Sequence, residues 1–171
     1  MRRPSFVFGL VLAAAGAAFS PPRVQETFRR PEGFEFVKTV EVAGNVAWTD
    51  SGLDVKAGEE FYFEASGTVI LQKDNPVAEC GPDGLRLRTM QQPVPERNLG
   101  GLVGRVVVKV EVVEDKETKE KSSRDYGEVF FIGSAALAAM PADGRLTFGA
   151  NENVVGDNDG VFTVVVFRRK A

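Results

Sequence analysis

The chain has 171 residues, a length that suits one domain behind a short processed segment and is enough to bury a single core. Apolar residues make up 43% and charged residues 26%, with 18 Gly and 9 Pro, which excludes a disordered, collagenous or multi-span membrane chain. Acidic residues outnumber basic ones, 24 to 21, a balance that disfavours nucleic acid as a partner.

Residues 1–18 read as a signal peptide. Arg2 and Arg3 supply a positive start, an apolar run extends from Phe6 to Phe19 without an acid, and Ala15/Ala17 or Gly16/Ala18 give the small-residue pattern of a cleavage site after Ala17 or Ala18. That run has 14 residues, short of the roughly 20 that cross a bilayer, so no membrane span is expected after processing. Export to the periplasm or beyond is the expectation. Losing the leader takes the basic count from 21 to 19 and the net charge to near −5. Residues 19–33, with Pro21, Pro22 and Pro31, read as an extended linker, and 34–171 as one β-sandwich domain. Cys80 is the single cysteine, so no internal disulfide forms, and a packed thiol is favoured over a reactive one.

Two-residue alternation runs through the domain. In Phe34, Phe36, Lys38, Val40 and Val42 it places the large apolar residues on one face of a strand. A short strand follows within Trp48–Gly58, then a longer one at Glu60–Leu71, where Gly67 marks a bulge or a close backbone approach. Gly81–Gly84 has the composition of a turn, and Leu85–Asn98, interrupted by Pro93 and Pro95, reads as a long surface loop of the kind that carries binding groups. Leu102–Val113 is dense in valine, and Glu128–Ile132 is a further strand. The mixed-charge run between them, Glu114–Asp125, reads as a solvated hairpin tip. Ala135–Met140 is expected to make one helical turn, limited by Pro141. Strands at Arg145–Gly149 and Val161–Arg168 complete about eight, and the fold class is all-β, an antiparallel two-sheet jelly-roll sandwich.

No histidine occurs, which removes Ser-His and Cys-His hydrolysis, His-rich zinc sites and the commonest general base. A binding module is expected, not an enzyme. The densest polar stretch is Asn151–Gly160. Calcium takes six to eight oxygen ligands, and this loop offers Glu152, Asp157, Asn158 and Asp159 with the peptide oxygens of Val154 or Val155. An ordinary hairpin loop would draw on the same residue types. Trp48 is open to two roles, an apolar anchor or a platform for a sugar face.

Five segments in order carry a family likeness. AWTDSGLDVKAGEEFYFEASG up to Gly67, the GPDG turn, GLVGRV at Gly101–Val106, FFIGS at Phe130–Ser134, and GRLTFGANEN with DNDGVFTVVV resemble the calcium-dependent galactose-binding lectin family typified by the PA-I lectin of Pseudomonas. The resemblance spans residues 40–168 and implies a galactose-binding-like jelly roll in which calcium bridges protein and sugar hydroxyls. It implies Glu152, Asp157 and Asn158 as ligands, with a peptide carbonyl from Val154 or Val155, and Gln91 or Gln92 together with Asn158 on the carbohydrate. Arg97 and Asn98 stand near enough in sequence to orient a sugar diol. The expected function is an exported, calcium-dependent carbohydrate-binding module. A protein-interaction sandwich of the cell envelope stays open beside it, on the charged hairpin and the absent histidine.

Overall fold

In a computed structural model, residues 30–114, 119 and 121–170 are described. The proposed signal peptide and most of the linker lie outside them. Among the described residues there are nine strands: β1 (Phe34–Ala43), β2 (Thr49–Val55), β3 (Glu60–Ile70), β4 (Glu79–Cys80), β5 (Leu102–Glu114), β6 (Lys121–Phe131), β7 (Ala135–Ala139), β8 (Gly144–Ala150) and β9 (Asp159–Arg169). One sheet runs β1-β9-β3-β4, with β7 also on β3, and the other runs β2-β8-β5-β6. All pairings are antiparallel. This is a two-sheet β-sandwich, as the strand pattern anticipates. Among the described residues no helix is long and apolar enough to cross a membrane.

The core lies between the sheets. Phe61, Phe63, Leu102, Val106, Leu146, Phe148, Phe162 and Val164 are all buried, and the Phe63 and Phe148 rings meet edge to face at 5.8 Å. These side chains alternate along their strands, so each strand gives one face to the interior. Burying an aliphatic or aromatic side chain of this size is worth about 1.5–3 kcal/mol, which makes this layer the main source of stability.

Three expectations are corrected. The alternation in β1 does not keep one face, because the register against β9 shifts between Phe36 and Lys38. The extra residue, Val37, turns the strand over. Val40 and Val42 reach the core, while Phe34 joins Tyr62, Val165 and Phe167 in a second cluster on the outer face, where Phe36 stands exposed against the Phe167 ring. The helical turn expected at Ala135–Met140 is instead strand β7. Its residues pair with Glu60–Glu64, and filling that free edge of β3 outweighs the helix preference of alanine. Of the charged run, Lys121–Asp125 belongs to β6, paired with Val110–Glu114, and residues 115–118 and 120 lie outside the described residues. Both faces are exposed there, so its charges stay in water. At Gly67 the register is continuous, so no bulge forms. The glycine, at φ +90°, serves a close approach, since a Cβ there would lie 2.4 Å from the Val161 carbonyl.

The register separates two ends of the molecule. β5 pairs with β8 only from Leu102 to Val107, and beyond that point β5 and β6 continue as a two-stranded arm. At the opposite end the connections β1–β2, β3–β4, β4–β5 and β8–β9 gather.

Candidate functional site

The gathered loops are fastened by side-chain amides. Asn151, fully buried, follows β8 directly. Its Oδ1 accepts from the Val94 N–H at 2.8 Å, and its Nδ2 donates to the carbonyls of Val94 and Asn98 at 3.0 Å each. Its backbone continues the contact, with Asn151 N–H donating to Gly101 O and Gly100 N–H to Asn151 O. One residue thus latches the 85–99 loop onto the 151–158 loop. Buried polar groups persist where they are paired, and this pairing spares the loop's inward-facing backbone the cost of lost water.

Gln92 does the same within the 85–99 loop. Its Oε1 accepts from Thr89 N–H and Oγ, and its Nε2 donates to the carbonyls of Val94 and Arg97. The amide has four hydrogen-bonding positions and all are taken. Expected on the sugar, Gln92 is a fastener of the loop. Its neighbour Gln91 is exposed.

Glu152 and Asn158 come together as the resemblance implies. Asn158 is buried, and its Nδ2 donates to Glu152 Oε2 at 2.8 Å and to Gly44 O at 3.1 Å. Its Oδ1 is buried with no hydrogen-bond partner in the structure. An orphaned buried acceptor costs about 1–3 kcal/mol, which makes it a natural point for a cation or a ligand donor. Glu152 has its pKa raised, first by burial, against the opposing bond from Asn158, and further by the nearby charge of Asp157. Asp157 is itself exposed, and its carbonyl accepts from Lys73 N–H at 2.7 Å, which ties in the β3–β4 connection. Asp159 is not brought to this place by any bond: its Oδ1 accepts from Gly160 N–H at the start of β9. Val154 is exposed.

Beside Glu152 lies an open cleft of about 180 Å³, lined by Thr89, Gln91, Leu99, Glu152, Asn153 and Val154 together with Gln92. Of the residues expected at the site, Glu152, Val154, Gln91 and Gln92 line this cleft, and Asn158 is linked to it through its bond to Glu152. Sequence reasoning missed Asn151 as the latch, although Asn directly after a buried strand is a usable signal. Among the described residues no three His, Cys, Asp or Glu side chains gather to hold a metal. A cation here would therefore rest on Glu152, the Asn158 Oδ1, peptide carbonyls and water, a donor set of hard oxygens that suits calcium.

Two further residues resolve plainly. Trp48 is not a free platform, because the Arg105 guanidinium lies 4.2 Å over its ring. Cys80 is buried against Leu71 and Gly100, and its thiol is pushed up to about 11, chiefly by desolvation.

The fold and cleft together define an all-β sandwich with a loop-end concavity. No protein-family model matches the chain, and no curated protein matches it. Among solved structures the chain is similar to the EclA N-terminal domain, a PllA-like lectin, at 23% identity and a TM-score of 0.55, covering 78% of this chain and 97% of that one. At that identity the likeness shows the fold, a sandwich shared with a lectin domain.

Proposed function

We propose that this chain is a carbohydrate-binding module, exported and calcium-dependent, of the PA-I lectin type. One observation carries the reading: Glu152, which lines the cleft, accepts from Asn158 Nδ2, and the Oδ1 of that same buried amide has no partner, on a sandwich like that of a lectin. A saccharide presents hydroxyls, and the cleft offers Gln91, Thr89 and Asn153 to meet them. Calcium, when bound, supplies a hard positive centre on which a sugar diol can be held. Glu152 and Asn158, with peptide carbonyls and water, would hold the ion. The protein's own part is positioning, since the Asn151 latch and the Gln92 amide fix the loop before any ligand arrives. Nothing in the site calls for bond making, and binding without catalysis is the proposed role.

The test is a thermal melt with calcium and then with chelator, followed by a glycan array in calcium. A ligand held a hundredfold above its Kd stabilises by about 2.7 kcal/mol, so a clear rise in Tm that chelator reverses is expected. An unchanged Tm at millimolar calcium would remove the metal, and a silent array would remove the sugar.

A second reading, a protein-interaction sandwich of the cell envelope, draws on the β5–β6 arm, where Val108, Val110 and Val112 are exposed. Capture of an envelope partner that Val110→Lys abolishes, alongside a silent array, would favour it.

A further inference from the structure

The loop that bears Gln91 also bears three arginines, Arg86, Arg88 and Arg97, all exposed. Arg86 and Arg88 with Leu87 and Asn98 line one depression, and Arg88, Arg97, Asn98, Asp83 and Phe131 line a second of about 220 Å³. The two share Arg88 and Asn98, so they form one basic rim. That rim adjoins the proposed sugar cleft, because Thr89 and Leu99 in the cleft are the chain neighbours of Arg88 and Asn98.

These three arginines differ from the four that hold ion pairs. Arg105, Arg145, Arg168 and Arg169 each pair with a carboxylate, whereas no ion pair to Arg86, Arg88 or Arg97 exists among the described residues. Asp83, the acid in the same depression, directs its Oδ1 to the Ser134 N–H at 2.8 Å. Arg97 is held, its guanidinium 5.3 Å from the centre of the Phe131 ring. The backbone beneath is held as well: Leu85 N–H donates to Leu99 O, Leu99 N–H to Leu87 O, and Asn98 Nδ2 to Asp83 O. In a chain that is acidic overall, this loop sets three arginines against Asp83 and Glu96, a net positive patch.

From this we infer that the module selects a saccharide bearing an oxyanion, a carboxylate or a sulfate, with the anion on Arg88 and Arg97 and the ring hydroxyls in the Glu152 cleft. The inference rests on the carbohydrate-binding reading and sharpens its substrate class. Guanidinium presents a planar fork that matches both oxyanions with paired hydrogen bonds. A nucleic acid fits less well, because the aromatic face that would stack a base, Phe131, is already covered by Arg97.

The experiment is calorimetric titration of the full chain in calcium with an oligogalacturonate, a heparin-derived sulfated oligosaccharide, a neutral galacto-oligosaccharide and a single-stranded oligonucleotide. An Arg88→Gln/Arg97→Gln double variant is run in parallel. Both side chains are exposed, and an unchanged Tm confirms that the variant folds. One acidic saccharide should bind at least about tenfold more tightly than the neutral one, a gain of roughly 1.4 kcal/mol, and the variant should lose that gain. Which acidic ligand leads identifies the anion. Equal affinity for neutral and acidic sugars, or a preference that survives in the variant, overturns the inference and leaves the carbohydrate reading standing. An oligonucleotide bound as tightly overturns the sugar selectivity of the rim. Silence from every saccharide overturns the carbohydrate reading itself and this inference with it.

Discussion

At the loop end of the sandwich the backbone is irregular, yet its inward-facing peptide groups are paired by the buried amides of Asn151, Gln92 and Asn158. At the other end the β5–β6 arm is regular strand, yet Val108, Val110 and Val112 on it stand in water. Hydrogen-bonded regularity and tight packing are therefore distributed oppositely. A binding site needs groups held in place, and here that comes from buried amides. An arm that only exposes its side chains is free to vary.

The largest effect that would break this contrast is at the latch. Asn151→Ala leaves one N–H and two carbonyls without their partner, and a loss of about 3 kcal/mol is expected in urea unfolding. Trypsin should also cut faster at Arg86, Arg88 and Arg97, since the loop carrying them loses its anchor. A variant as stable as the parent, with unchanged cutting, would show that the loop is held by something else.

A smaller effect is expected at Glu152, and its sign depends on pH and calcium. Burial raises this carboxyl's pKa in the folded state, so folding favours the protonated form. The stability it contributes is present below the ordinary carboxylate pKa and is lost as pH rises through the raised value. In chelator, Glu152→Gln should therefore melt above the parent at neutral pH, with the gap closing on acidification. With calcium present the order should reverse, because the variant gives up a charged ligand. A gap in chelator that does not change with pH would contradict the burial of this carboxylate.

The smallest effect belongs to the arm. Val110→Thr combined with Val112→Thr should change stability by less than about 0.5 kcal/mol, because both positions are exposed. A loss above about 1 kcal/mol in the same unfolding assay would mean that these valines are covered in solution.

Much of the sandwich was legible because β-strands write their buried face directly into the chain, as at Phe61/Phe63 and Val164/Val166. The loop end was legible by composition, with Glu152 and Asn158 six positions apart yet 2.8 Å from each other. Other features depend on what a segment meets in space. The turnover at Val37 comes from pairing with β9, and β7 forms because β3 has an edge to fill. Gln92 looks like any polar loop residue until the carbonyls of Val94 and Arg97 close around it. The arginine rim is invisible as a rim in sequence, because Asn98 and Arg97 return beside Arg88 only through the Leu85–Leu99 bridge.

The place of β9 has a consequence for assembly. β1 and β3 lie in one sheet but do not neighbour each other, and the last strand of the chain fills the gap between them, pairing Val42 with Phe162 and Ala65 with Val164. Loop closure over about a hundred residues must come before those contacts stabilise anything, which marks a slow-folding topology. The sheet can therefore zip shut only once β9 is available to both neighbours. The Glu152–Asn158 pair, which sits on the approach to β9, comes into being only with that closure, so a chain whose β9 has not yet docked lacks it.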